Sequence, residues 1–192
     1  MEIIATKKET EQLIEQNKNQ PFLIFPKDRL HSIRRKNDLP KRWIENGIKT
    51  SFTDTAMKGE NFAYQLEIFS LQNIKNITVQ FSDLKNSNSK IIFAKNISCL
   101  NTGGTDYEGK PMHKIVNVEK GCVQPLWCMI DIPENISAGK YSGKVRVTTA
   151  NNSSSKEINI TLIIKNEITK NHGVNEPWKM PLNMAKHNNG AG

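Results

Sequence analysis

Hydrophobic positions along this chain keep one rhythm through its middle and lose it at both ends. In residues 61–71, Phe62, Tyr64, Leu66 and Ile68 fall on one face, with Ala63, Gln65 and Glu67 on the other. Ile77, Val79 and Phe81 alternate with Thr78 and Gln80, and Ile158, Ile160, Leu162 and Ile164 alternate with Asn159, Thr161 and Ile163. Strict alternation with β-branched residues predicts strands with one buried face. Between these runs lie IIFA (91–94), KIVNV (114–118), LWCMIDI (126–132) and YSGKVRVTT (141–149). Turn-forming stretches separate them at 86–89, Gly103-Gly104, Ala138-Gly139 and 151–155. Seven or eight short strands without intervening helices predict an all-β fold, an antiparallel immunoglobulin-like β-sandwich over residues 61–165.

The ends read differently. Thr6 and Glu9 have capping-box spacing, and residues 7–17 lack Gly and Pro, so a short helix belongs within an N-terminal segment 1–20. Only Leu13 and Ile14 give that helix an apolar face, so it can dock on a neighbour but cannot form a core. Gln20-PFLIF-Pro26 reads as a brief apolar strand closed by proline. The polar, basic stretch 27–50 shows little periodicity, and residues 21–60 are expected to form an extended wrap with one helical turn around 41–46. The sharpest local signal is Pro133, Gly139, Tyr141, Gly143, Val145 and Val147: a strand ends at proline, turns at glycine and restarts at tyrosine. Gly143 would let the backbone pass close to a neighbour. This is a fold signature, and it names no chemistry.

Composition narrows the classes. The hydrophobic fraction is 36% and mean hydropathy is −0.56, so only the middle of the chain can bury a core. No apolar run approaches the roughly 18 residues that span a bilayer. The opening MEIIATKKETEQ has no apolar stretch after its charges and does not read as a secretion signal. The net charge of +8 is spread out, with its densest patch at Lys27, Arg29, Arg34, Arg35, Lys36, Lys41 and Arg42. An Ile/Lys/Asn-rich composition also follows from AT-rich coding, so nucleic-acid binding is not expected. Cys99, Cys122 and Cys128 form no CxxC pair and sit in or beside apolar segments, which predicts buried free thiols.

Candidate chemistry is sparse. The carboxylates Asp54, Glu60, Glu67, Asp83, Asp106, Glu108, Glu119 and Asp131 are scattered. Asp106 and Glu108 flank Tyr107 in NTGGTDYEGKP, where an aromatic between two carboxylates could touch a glycan. The plainer reading is a structural turn, and the loop lacks the oxygen-rich alternation of a calcium site. His31, His113, His172 and His187 lie far apart, and no nucleophile elbow, phosphate loop or dinucleotide fingerprint is present. Trp127, within an apolar run, is expected in the core. No catalytic, cofactor or metal residues are assigned.

PFLIFPKDRLHSIRRKNDLPKRWIENG, KGENFAYQLEIF, FSDLK, CLNTGGTDYEGKP and KGCVQPLWCMIDIPENISAGKYSGKV together resemble the N-terminal β-sandwich region of glycoside hydrolase family 123-like proteins. The likeness runs in family order from about Pro21 to Trp178. It implies an accessory sandwich preceding a catalytic (β/α)-barrel. In related enzymes that barrel removes N-acetylgalactosamine, the substrate's own acetamido group acting as nucleophile beside an adjacent Asp-Glu pair. No Asp-Glu dipeptide occurs here, so no catalytic residue carries over and the chain alone is expected to lack hydrolase activity. The resemblance implies the barrel as partner, with a glycan second. Carbohydrate-binding and structural-interaction modules stay open as alternatives, the latter requiring an exposed apolar patch. Relatives are exported, which leaves the location of this chain open.

His172, Gly173, Glu176, Pro177 and Trp178 match the family's link into the barrel, expected at 166–178, and beyond them the likeness stops. Residues 179–192 read as an aberrant tail. Met184-Ala185 is coded ATG-GCN, and one base forward this gives TGG, tryptophan, so an out-of-frame reading of the barrel's first segment is expected, with a natural terminal tail as the alternative.

Overall fold

The computed structural model describes residues 3–30, 37–150 and 154–169. His31, Arg34, Arg35, Lys36, most of the turn at 151–155, the link after Thr169 and the whole tail lie outside the described residues. In chain order the elements are α1 (Lys7–Gln16), β1 (Phe22–Asp28), α2 (Lys41–Asn46), β2 (Ser51–Lys58), β3 (Asn61–Ser70), β4 (Ile77–Phe81) and β5 (Leu84–Lys85). They continue with β6 (Ile91–Ile92), β7 (Ile97–Cys99), β8 (Gly103–Thr105), β9 (Pro111–His113), β10 (Val123–Asp131), β11 (Gly139–Thr149) and β12 (Ser155–Ile168).

Two sheets face each other. One has the order β1-β3-β10-β7, all antiparallel. The other runs β2-β12-β11-β5-β6, with β4 also on β11, and its β2–β12 pairing is parallel. Phe62, Tyr64, Leu66 and Ile68 of the first sheet meet Tyr141, Val145, Val147, Ile158, Ile160, Leu162 and Ile164 of the second in one buried cluster. The period-two positions therefore become the inner faces of an all-β sandwich.

The opposite face of the first sheet is covered too. Leu23, Phe25, Phe69 and Val123 pack there against Leu13 of α1, Leu39 and Trp43 of α2, with Phe25 and Trp43 stacked at 4.7 Å between ring centroids. The Thr6–Glu9 capping box opens α1: the Thr6 hydroxyl accepts from the Glu9 N–H at 3.3 Å, and the Thr6 N–H donates to the Glu9 carboxylate at 2.8 Å. As its thin apolar face requires, α1 docks rather than forming a core.

Several local expectations need correction. Gln65 and Glu67 lie on a covered face, not a solvated one, and both are fully buried. Pro26 does not end β1 but pairs with Leu66 inside it. It is tolerated there because β1 is an edge strand, where a missing N–H interrupts no second ladder. Ser51–Lys58, read as part of the wrap, is a sheet strand in which exposed residues alternate with half-buried or buried ones, as its edge position allows. KIVNV forms no strand; Val116 and Val118 are buried, Val118 makes an isolated bridge to Ile74, and the Val116 carbonyl accepts from the Ile77 N–H at 3.0 Å. Trp127 pairs with Gln65 on the outer face and is only half-buried, because Leu126, Cys128 and Ile130 take the core positions of β10.

Candidate functional site

The sequence-nominated Asp106, Tyr107 and Glu108 form the tip of the β8–β9 hairpin, which stands apart from both large sheets. One carboxylate oxygen of Asp106 accepts the N–H groups of Glu108 at 2.9 Å and Lys110 at 2.8 Å. Gly109, at φ +78°, supplies the left-handed residue the turn needs, and its N–H donates to the Asp106 carbonyl. Glu108 is ion-paired with Lys110. Tyr107 is left outside at 96% exposure. Asp106 thus serves the loop's own backbone while the loop presents an aromatic ring to solvent. At the hairpin's root, Leu100 and Ile115 are also exposed.

The remaining nominated carboxylates do not converge. Asp54 accepts from the Thr55 N–H at 2.7 Å and Asp83 from the Ala94 N–H at 2.9 Å. Glu60 bonds Arg29 at 2.6 Å and the Met57 N–H at 2.9 Å. Asp54 and Asp83 fix local backbone, and Glu60 joins an ion pair to a backbone contact. Among the described residues, no three His, Cys, Asp or Glu side chains gather as a metal site. No described helix is long and apolar enough to cross a membrane.

The basic stretch is partly turned inward. Arg29 pairs with Glu60 and lies 5.8 Å from the Phe62 ring centroid, and Lys41 lies 3.4 Å from Glu9. Lys27 is held below its ordinary value, first by burial and also by Arg42 and Lys49, against the attraction of Glu67 and Asp28.

Two features escaped the sequence reading. The first is a buried row on the inner face of the first sheet: Cys99 opposite Cys128, and Cys128 opposite Tyr64. The neighbouring Cys128 thiol is the largest cause lowering the Cys99 thiol to about 6, while burial pushes Cys128 well up. Both cysteines stood in apolar segments, but only strand register could bring them together. The second is the role of the Pro133–Val147 signature. Tyr141 is fully buried, and its hydroxyl donates to the Ser137 carbonyl at 2.9 Å and accepts from the Asn86 side chain at 3.2 Å. It acts as a tyrosine corner pinning the turn into β11.

Residues 104–149 match the family model for the glycoside hydrolase 123 N-terminal domain. That span runs from the hairpin through β10 to the end of β11, and it bears out the resemblance read from the sequence. No curated protein matches the chain. Among solved structures, a family 123 glycoside hydrolase from Clostridium perfringens, described for glycolipid glycan hydrolysis, superposes with a TM-score of 0.58 at 18% identity. The superposition covers 78% of this chain and 28% of that enzyme, so this chain spans under a third of its length. The fimbrial subunit MyfA of Yersinia enterocolitica gives a TM-score of 0.42 at 12% identity, covering 74% of this chain and 98% of the subunit. The CooA pilin subunit of enterotoxigenic Escherichia coli gives 0.41 at 13% identity, covering 77% and 99%.

Proposed function

We propose that this chain is the non-catalytic N-terminal sandwich module of a family 123-type glycoside hydrolase, whose substrate is a glycan bearing an N-acetylhexosamine. One observation carries the reading: the family match spans the Tyr107 hairpin and the Tyr141 corner together. Asp54, Asp83 and Asp106 serve local backbone and Glu60 an ion pair, and none of these four is offered as a catalytic group.

The module's partner is a barrel that follows it, and the fold suggests where the two meet. Thr169 donates to the Lys58 carbonyl at 2.8 Å, so the described chain leaves beside the β2–β3 turn. Leu30, Met57 and Ile168 lie at that end and are all exposed. In this reading they are covered when the barrel is present. To test catalysis, the purified chain is assayed against an aryl N-acetylgalactosaminide. No turnover is expected, and turnover that Asp106→Asn or Glu108→Gln abolishes would overturn the reading.

Glycan contact is a second reading, favoured by the 96% exposure of Tyr107 on a loop locked by Asp106. An exposed aromatic face can stack on a sugar ring, though one ring supports only weak affinity. Titration of N-acetylgalactosamine into the chain, followed by NMR, should shift residues 105–110 and no longer do so in Tyr107→Ala. Shifts that survive this substitution, or none at millimolar sugar, would refute glycan contact and leave the accessory role intact.

A further inference from the structure

Cys99 and Cys128 sit directly opposite each other on the neighbouring strands β7 and β10. At the next position Leu100 donates its N–H to the Trp127 carbonyl at 2.8 Å, which makes that pair the hydrogen-bonded one. The two cysteines therefore occupy a non-hydrogen-bonded site, where Cα atoms approach to about 4.5 Å. That separation is at the short end of the window of about 4.4–6.8 Å that disulfides span. Both side chains belong to the same core cluster, so they point to the same face. We propose that Cys99 and Cys128 are a thiol pair that closes to a reversible disulfide, stapling the edge strand β7 to the sheet.

The two thiols are unequal in a way that suits exchange. Cys99 stands on the outer strand of the sheet, so opening of β7 exposes it first, whereas Cys128 lies on an inner strand. It attacks one sulfur of a small-molecule disulfide, forming a mixed disulfide and releasing one thiolate. Cys128 then loses its proton to solvent and attacks the Cys99 sulfur, expelling the second thiolate. The protein loses two electrons and two protons, and the small disulfide becomes two thiols. Because both cysteines are buried, the first step needs a local opening of the three-residue strand β7. Cys122 lies six residues from Cys128 along the chain, about 20 Å at strand spacing, and cannot compete in the folded state. The closed bond would tie together both ends of the segment that carries the β8–β9 hairpin, whether or not that hairpin binds a glycan.

The test equilibrates the full chain and its Cys122→Ser variant, natively folded, with mixtures of oxidised and reduced glutathione. After acid quench, intact mass and tryptic mapping follow. Peptide 96–114 carries Cys99, because the Lys110–Pro111 bond resists trypsin, and peptide 121–140 of the variant carries Cys128 alone. The expected product is a monomer lighter by two hydrogens with these peptides joined. It should melt several degrees above the reduced form, dithiothreitol reversing the gain, and Cys99→Ala should show neither effect. A chain that keeps its dithiol mass, stops at a glutathione adduct, links Cys122 instead, or melts no higher when oxidised would overturn the proposal.

Discussion

Gly143 shows how closely one position can be specified. A Cβ built there would lie 2.5 Å from the Asp83 carbonyl oxygen and 2.6 Å from a Leu84 methyl. Here the chain breaks between β4 and β5, and Ser82 exchanges hydrogen bonds with Lys144 across the gap, its N–H donating at 2.9 Å and its hydroxyl accepting at 2.8 Å. Since the obstacle is backbone, Gly143→Ala should cost at least the roughly 1–3 kcal/mol typical of overpacking, read from urea unfolding. Tyr141→Phe keeps the ring and removes the hydroxyl bonded to Ser137. It should lower stability by about 1 kcal/mol, with the unfolding slope unchanged. A neutral result for either would remove the structural role given to the Pro133–Val147 signature.

At the scale of elements, the N-terminal helices form a third layer held by Trp43, which is fully buried against Phe25. Trp43→Ala should cost about 3–5 kcal/mol. Amide exchange should then rise in α1, α2 and β1 well before β11 and β12, since the inner core is a separate cluster. The helix cap adds a pH dependence. Hydrogen bonds from the Thr6 backbone and hydroxyl, followed by attraction to Lys41, hold the Glu9 carboxyl below its ordinary value. A folded-state value lower than the unfolded one means the contribution is complete above the unfolded pKa. It fades as pH falls through the folded one. Protection of the α1 amides, taken relative to their intrinsic exchange rates, should therefore fall on acidification through and below the ordinary carboxylate range, and Glu9→Gln should remove that dependence. The capping box, the turn at 41–46 and most strands were legible because their signals are local. β2 was not: its burial depends on β12, more than a hundred residues away, and alternation is weak in an edge strand.

For the whole molecule, the sandwich offers one end beside the departing chain, where Leu30, Met57 and Ile168 are exposed. If a barrel covers this end, hydrogen exchange in residues 57–60 and 166–169 should be slower in a longer protein containing both parts than in this chain. The hairpin at 103–113 should exchange equally in the two. Equal protection at 57–60 would place the interface elsewhere. The candidate hairpin was legible in sequence as a glycine-bounded loop with Asp106, Tyr107 and Glu108. Its division of labour was not, because backbone geometry decides that Asp106 folds inward and Tyr107 outward.

By itself the sequence determined the period-two inner faces, the capped helix, the tyrosine–glycine signature and the likeness to a family 123 N-terminal region. Each depends on residues close together in the chain, or on motifs that keep their order. Tertiary structure alone decided which second faces are covered, so that Glu67 is buried and Trp127 half-exposed. It also decided that Cys99 meets Cys128 across two strands. Period two says only that a side chain points to one face or the other. What lies on that face, and which residue stands opposite, follows from strand order and register, which depend on contacts between distant parts of the chain.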